Sequence, residues 1–276
     1  MTFRPLQAFA WLIFAILSVA PGTGSSDPAG DILRGGIVLL FGDSILDCHE
    51  GDKRIEVVMK QLLVQRTAST RWTIINEAHG GEYIGPKEGS PTGVSEPLFT
   101  TETTGRYFEI AKRHPKVDVI FANYAANDSK VYSPATFRNR LEALGRLLEK
   151  DFPGAIFIFS TSMYCDPKHA APYHIDHFKV PGFKQGSLRN EYLEPYNQQI
   201  REFTRAHGYG LADIFRRIAV ETERGNWDMR IRAGEGDPRE DPNHAGDMAW
   251  FDNIHPNYKG TETIARLYVE TLMELH

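Results

Sequence analysis

An apolar run early in the chain predicts a buried β-strand, and the residues that close this run constrain the fold most. Residues 36–40 read Gly-Ile-Val-Leu-Leu and lead directly into Phe41-Gly42-Asp43-Ser44. An unbroken run of this length, bounded by turn residues, is typical of a strand that is covered on both faces. Ligands of open α/β sheets bind beyond the carboxyl ends of the strands, which is where Ser44 would lie. Ser44 is therefore a candidate reactive hydroxyl, although Gly, Asp and Ser also build turns that have no chemical role.

Strand and helix patterns alternate along the rest of the chain. This alternation predicts a single three-layer α/β/α (flavodoxin-like) domain with a five-stranded parallel sheet. The predicted strands are residues 36–40, 72–76, 117–124, 155–160 and 209–214, and the predicted helices are 54–65, 103–113, 134–150, 187–207 and 259–274. Ser133 and Asp213 have side chains that can cap the helices that follow them.

A second polar motif stands just before the last predicted helix. It reads Phe-Asp-Asn-Ile-His-Pro-Asn over residues 251–257 and contains Asp252 and His255. A serine hydroxyl is a weak nucleophile at neutral pH, so it needs a base within hydrogen-bond reach and a third group that orients the base. The single loop over residues 251–257 could supply both the base and the group that orients it. The alternative is structural: Asp252 caps the final helix and His255 only packs.

Two further segments follow predicted strands. Asn127 ends the sequence Ala-Ala-Asn after the third strand, and its amide could stabilise the oxyanion that forms when an ester is attacked. Gly80 and Gly81 follow the second strand, and glycine lets a backbone N–H approach a substrate closely. The acidic and imidazole side chains that flank these glycines are expected to be solvated; they are Glu77, His79 and Glu82.

In order, the Gly-Asp-Ser, Gly, Asn-Asp and Asp-x-x-His motifs resemble those of the SGNH (GDSL-type) hydrolase superfamily, over about residue 36 to the C-terminus. The resemblance implies Ser44 as nucleophile, His255 as general base and acid, and Asp252 as the residue that orients His255. It also implies an oxyanion hole formed by Ser44, Gly81 and Asn127, with Gly80 as the alternative to Gly81. It implies no cofactor and no metal. This chain departs from the family in having Ala125 where the third motif usually begins with glycine.

The N-terminal residues predict export. Arg4 precedes an apolar stretch over residues 6–17, and Ser18-Val19-Ala20 resembles a signal-peptidase site. We expect residues 1–20 to be a signal peptide, 21–30 a flexible tail and 31–276 the hydrolase domain, with no integral membrane span in the mature chain. An uncleaved N-terminal anchor is the alternative. The formal net charge of −5 argues against a nucleic-acid partner.

Export would permit the two cysteines, Cys48 and Cys165, to pair, and two buried thiols are the alternative. Two long insertions, at residues 163–186 and 225–250, mix aromatic, histidine and charged residues in a way that suits carbohydrates. Their candidate substrate contacts are Tyr164, Trp227 and Trp250, and Asp43 is added beside the nucleophile. Four potential zinc ligands stand in the first insertion without helical spacing, and we expect no metal site there; they are His169, His174, Asp176 and His177.

These observations predict an exported serine esterase that removes a small acyl group, acetyl above all, from a carbohydrate or glycan. Its partner would be a small or polymeric ester substrate. Three alternatives stay open at this point. They are a lysophospholipase or thioesterase, an O-acyltransferase that modifies a surface polymer, and a glycan-binding module without catalysis.

Overall fold

The computed structural model describes residues 34–89, 94–101, 103–165, 189–226, 230–231, 250–251 and 255–275. Their main feature is a five-stranded sheet whose strands are all parallel, in the order β2-β1-β3-β4-β5. These strands are β1 Ile37–Gly42, β2 Thr73–Asn76, β3 Val119–Asn123, β4 Ile156–Ser160 and β5 Gly210–Ala212. The short strands β6 Arg230–Ile231 and β7 Trp250–Phe251 form a separate antiparallel pair.

Helices connect the strands and cover both faces of the sheet. They are α1 Ile55–Thr67, α2 Arg106–Arg113, α3 Asp128–Val131, α4 Pro134–Asp151, α5 Arg189–His207, α6 Ile214–Glu223 and α7 Tyr258–Glu274, with a 3₁₀ turn at Gly51–Lys53. The three-layer fold class and the five parallel strands predicted from the sequence are confirmed. Among the helices that are described, none has the length and apolar character needed to cross a bilayer.

The unbroken apolar run of β1 is explained by burial on both sides. Val38 and Leu40 belong to a core formed with α1, α6 and α7. Leu39 and Phe41 point the other way, into a core formed with α2, α4 and α5. All four side chains are fully buried. Successive residues of a strand face opposite sides, so a central strand with two cores has no polar face.

Three helix starts test the capping predictions. The Ser133 hydroxyl accepts the Thr136 N–H at 3.2 Å, and the Asp213 carboxylate accepts the Arg216 N–H at 3.2 Å, so both predicted caps are confirmed. The final helix α7 is capped by Asn257, whose side chain accepts the Gly260 N–H at 2.9 Å. The alternative in which Asp252 caps this helix is therefore wrong.

The strand order places a crevice between β1 and β3. The chain leaves β1 for β2 on one side and returns to β3 on the other, and Gly42 at the end of β1 pairs with Asn123 at the end of β3. Connections that diverge in this way open a crevice beyond the carboxyl ends of the strands, where α/β proteins bind ligands. Ser44 and Asn127 follow these two strands directly.

Candidate active site

Ser44 and His255 meet at the carboxyl edge of the sheet, although 211 residues separate them in the chain. Ser44 lies in a tight turn after β1, in which the Asp43 carboxylate accepts the Ile45 N–H at 2.9 Å. His255 lies just before α7, and its Nε2 is 2.9 Å from the Ser44 Oγ. This distance is within the reach that a general base needs to take the hydroxyl proton.

The contact also constrains the imidazole tautomer. Nε2 can accept a proton from Ser44 only when the neutral ring carries its hydrogen on Nδ1. An acceptor for Nδ1–H would hold that tautomer, and this is the role that the resemblance implies for Asp252. Asp252 lies outside the described residues, so its role stays a prediction.

A second histidine ties the nucleophile segment to the His255 loop. His49 is buried, and its Nε2 lies 3.0 Å from the Pro256 carbonyl. A carbonyl only accepts hydrogen bonds, so His49 donates from Nε2. Because Pro256 is adjacent to His255, this bond joins the turn after Ser44 to the turn that carries the imidazole.

The two glycines after β2 differ in what their backbones do. A Cβ built on Gly80 would lie 3.9 Å from the Ser44 Cβ, so this loop passes close to the nucleophile. The Gly80 N–H donates to the Asp47 carboxylate at 3.3 Å. Gly81 has φ +81°, and a Cβ there would lie 2.9 Å from the Ser95 nitrogen. Within the described part of the chain, neither the Ser44 nor the Gly81 N–H donates a hydrogen bond, which favours these two as oxyanion donors over Gly80.

Asn127 is held against the same loop. It is 5% exposed, and its Nδ2 donates to the Glu82 carbonyl at 3.2 Å and more weakly to Asp43 Oδ2 at 3.4 Å. Lys130 Nζ donates to Asn127 Oδ1 at 3.1 Å. The lysine thus fixes which end of the amide is the donor, and the donor end faces the Gly81-Glu82 backbone.

Two buried carboxylates join the glycine loop to the segment after β3, and sequence reasoning missed both. Glu82 was expected to be solvated, yet it is 0% exposed and its carboxylate accepts from Arg106 and Tyr124. The Asp128 carboxylate accepts the Ile84 N–H at 2.9 Å and the Ala125 N–H at 3.2 Å. The one available signal was the density of acidic residues around Gly80 and Gly81.

The same two acids predict how stability depends on pH. Burial raises the pKa of Glu82 to about 8, against the opposing effect of Arg106 and Tyr124. Burial also raises the pKa of Asp128 to about 7, although it accepts two backbone N–H groups. In the unfolded chain both acids ionise near their ordinary values, around pH 4. Between about pH 4 and 8 the native state therefore binds more protons, and the free energy of unfolding falls as pH rises.

Denaturant unfolding at pH 5 and at pH 8 tests whether the free energy of unfolding falls as pH rises. We expect the parent protein to be more stable at pH 5, and Glu82→Gln, which has no proton to lose, to reduce the difference. Equal stability at both pH values, or a higher value at pH 8 in the parent, would contradict it.

Ala125 occupies a backbone conformation that suits glycine. Its φ is +133°, and it is fully buried. This is the position at which the family usually has glycine. Replacing Ala125 by glycine would relieve backbone strain of about 3 kcal/mol, the upper end for such conformations. The same replacement costs roughly 0.7 kcal/mol through the greater freedom of the unfolded chain and roughly 0.8 kcal/mol through the loss of a buried methyl group. The relief of strain is larger than the two costs together.

Ala125→Gly is therefore expected to raise the free energy of unfolding by about 1.5 kcal/mol. Ala126→Gly is the matched control, since Ala126 is buried as well but is not among the residues with positive φ. We expect the control to lower stability by about 1.5 kcal/mol. Urea unfolding of both variants measures the two changes, and a loss of stability in both would rule out strain at Ala125.

The four candidate substrate contacts have different environments. Asp43 is 1% exposed and bonded within the protein, a geometry that favours positioning of the turn over contact with substrate. The Tyr164 ring packs edge-on against Phe215 at 5.3 Å between centroids. Trp250 is described only through its backbone pairing with Ile231. Trp227 lies outside the described residues, as do the four potential zinc ligands of the first insertion.

The cysteines are buried and no disulfide joins them in the described structure. Cys48 Sγ lies 3.2 Å from the Ile45 carbonyl and 3.8 Å from Thr261 Oγ1 on α7. It packs the nucleophile turn against the start of α7. Of the two possibilities left by the sequence, the structure has buried thiols.

The fold and this site define a class: an α/β/α protein with a serine–histidine pair at the switch point of a parallel sheet. Solved structures share the fold at low identity. A GDSL-like lipase candidate from Parabacteroides merdae is 13% identical, with a TM-score of 0.54 over 86% of this chain and 95% of that one. A lipase/acylhydrolase from Enterococcus faecalis is 18% identical, with a TM-score of 0.51 over 85% and 93%. An acetyl xylan esterase is 16% identical, with a TM-score of 0.52 over 85% and 98%.

The family follows from the sequence itself. The model of the GDSL-like lipase/acylhydrolase family matches residues 40–262, most of the chain. The chain belongs to this family, and the predicted membership of the SGNH hydrolase superfamily is confirmed. A comparison with curated proteins found no match.

Proposed function

We propose that this protein is an exported serine esterase that releases a small acyl group, acetyl above all, from a carbohydrate. The observation that carries the proposal is the 2.9 Å contact between Ser44 Oγ and His255 Nε2 at the carboxyl edge of the sheet. Membership of an acylhydrolase family supports the ester-hydrolase part. Export rests on the basic and apolar pattern of residues 1–20.

In this mechanism Ser44 Oγ attacks the ester carbonyl while His255 Nε2 takes its proton. The Ser44 and Gly81 N–H groups stabilise the oxyanion. The Asn127 amide joins them by exchanging its long bond to Asp43, at 3.4 Å, for the substrate oxygen. The tetrahedral intermediate collapses to an acyl-enzyme, and His255 gives its proton to the leaving alcohol. Water, deprotonated by His255, then attacks the acyl-enzyme, and Ser44 recovers its proton as the carboxylic acid leaves.

Two features support a small acyl group and a sugar alcohol. Gly80 lies close to Ser44, and the polar side chains of Asp47 and Asn127 bond to Gly80 and to Asp43 beside it, a small and polar environment that suits a short acyl group. The two insertions predicted from the sequence supply aromatic and polar residues that suit carbohydrate rings and hydroxyls. One structure that shares the fold is an acetyl xylan esterase, which makes acetylated xylan a reasonable first substrate to test.

Hydrolysis of p-nitrophenyl esters from acetyl to octanoyl tests the acyl preference. We expect kcat/KM to be highest for acetyl and to fall with chain length. A maximum at octanoyl would overturn the small-acyl proposal in favour of a lysophospholipase or thioesterase.

Acetylated xylooligosaccharide tests whether the alcohol part of the ester is a sugar and whether water is the acyl acceptor. Release of free acetate at a rate proportional to enzyme concentration is the expected result. Acetate that appears instead on an added unacetylated sugar polymer would identify an O-acyltransferase. Binding of the oligosaccharide without loss of acetyl groups would identify a glycan-binding module.

A further inference from the structure

An arginine of helix α2 forms hydrogen bonds with the loop that carries Gly81. Arg106 Nη1 donates to Glu82 Oε2 at 2.8 Å. Arg106 Nη2 donates to the Glu77 carbonyl and lies 3.6 Å from Glu77 Oε2. One guanidinium thus contacts both ends of the segment 77–82, and Gly80 and Gly81 lie between its two contacts.

Glu82 continues this connection to the other side of the oxyanion site. Its Oε1 accepts the Tyr124 hydroxyl at 2.7 Å, and its backbone carbonyl accepts Asn127 Nδ2 at 3.2 Å. The Glu82 side chain is 0% exposed, whereas that of Arg106 is 20% exposed. Glu82 is therefore bonded to the residue that precedes Ala125 and to Asn127 itself, and it is the direct neighbour of Gly81.

A buried contact between an arginine and an acid has little value for stability alone. Taking a guanidinium and an acid out of water costs free energy, and apolar residues of similar volume often stabilise a protein equally well. Its geometric value is greater, because one planar guanidinium that bonds both the Glu82 carboxyl group and the Glu77 carbonyl fixes the positions of the two groups. Here the two groups lie at the ends of the segment that carries Gly81, and Glu82 also accepts a bond from Asn127.

We propose that Arg106, acting through Glu82, is a positioning residue that sets the geometry of the oxyanion site. This inference rests on the proposed function, because it assigns a role within the same esterase reaction. Arg106 touches no reacting atom. Its effect is on the two donors, which must meet an oxyanion within about 3 Å, and displacement by about 1 Å costs on the order of 10²-fold in rate.

The test compares Arg106→Met with Arg113→Met. Arg113 is the matched control because it lies on the same helix and also pairs with Glu77, donating to its carboxylate at 2.9 Å. Its side chain is 55% exposed, and within the described residues it forms no hydrogen bond or ion pair with Glu82. For p-nitrophenyl acetate we expect Arg106→Met to lower kcat about 30-fold with KM changed less than about threefold. Arg113→Met should stay within about twofold of the parent in both constants.

Two conservative variants separate positioning from folding. In Glu82→Gln the amide oxygen can accept from Arg106 and the amide nitrogen can donate to Tyr124, so we expect kcat within about threefold of the parent. In Arg106→Lys the ammonium group can reach one of the two acceptors but lacks the planar guanidinium that bonds both. We therefore expect kcat to fall about fivefold while the melting temperature stays that of the parent. If Arg106→Met does not fold, the kcat of Arg106→Lys is the test. A kcat equal to that of the parent overturns the proposal, and a kcat about fivefold lower supports it.

A second readout keeps this proposal distinct from the proposed function. Diethyl p-nitrophenyl phosphate phosphorylates an activated serine hydroxyl: the Ser44 Oγ–P bond forms, p-nitrophenolate leaves, and His255 takes the hydroxyl proton. The P=O oxygen gains charge in this step, so the rate should fall in Arg106→Met in parallel with kcat. A parent protein that neither hydrolyses esters nor reacts would contradict the proposed function. A reactive parent whose Arg106→Met variant matches Arg113→Met would overturn only the role of Arg106.

Discussion

Ser44→Ala is expected to lower kcat/KM for p-nitrophenyl acetate by about 10⁴-fold or more, the largest effect of any single change in this chain. The variant has no oxygen to form the acyl-enzyme. It also lacks the hydroxyl that lies 2.9 Å from His255 Nε2 in the parent. Ser44 is only partly buried and its Oγ has a single described partner, so the fold should tolerate alanine. Initial rates with parent and variant at equal concentration measure the loss.

Ser133→Ala is the matched control for this change. Ser133 caps α4, far along the chain from the site, and its loss should cost about 1 kcal/mol of stability without changing kcat/KM. Activity within about tenfold of the parent in Ser44→Ala would contradict Ser44 as the nucleophile.

His255→Ala is expected to have the second largest effect, a loss of about 10⁴-fold in kcat/KM at neutral pH. Without the imidazole, the proton of Ser44 must go to solvent, so the residual rate should increase with hydroxide concentration. A pH–rate profile of the variant checks this: we expect a steady rise with pH. A profile with the parent's shape would mean that another group is the base.

His207→Ala is the control for the loss of an imidazole. His207 lies at the end of α5, where its ring bonds Glu142 at 2.8 Å and packs against Phe203. Its removal should leave kcat/KM unchanged. A loss in His207→Ala as large as in His255→Ala would remove the argument for a specific base.

The fold could be predicted well because its signals are local. The run that forms β1, the cap at Ser133 and the cap at Asp213 each depend on residues within a few positions of one another. The shared position of Ser44 and Asn127 was also accessible, since both follow parallel strands, whose carboxyl ends lie at one edge of the sheet. His255 follows no strand of this sheet, so its place beside Ser44 could be expected only from the resemblance to the family.

The polar support of the site could not be predicted in the same way. Arg106 lies 24 residues from Glu82, and nothing in the spacing says that helix α2 will place its guanidinium under the glycine loop. Charged residues are usually solvated, so a single sequence favours the wrong environment for Glu82. The strain at Ala125 is likewise a property of the backbone, visible only once φ is known.

Intact-protein mass spectrometry with peptide mapping tests whether Ser44 is the nucleophile that forms the covalent acyl-enzyme. The protein would be treated with diethyl p-nitrophenyl phosphate, which traps the step in which Ser44 Oγ attacks. We expect one diethylphosphoryl group on the peptide that contains Ser44, and none in Ser44→Ala. Ester hydrolysis by a parent protein that takes no label at Ser44, or label at Ser44 that leaves hydrolysis intact, would contradict it.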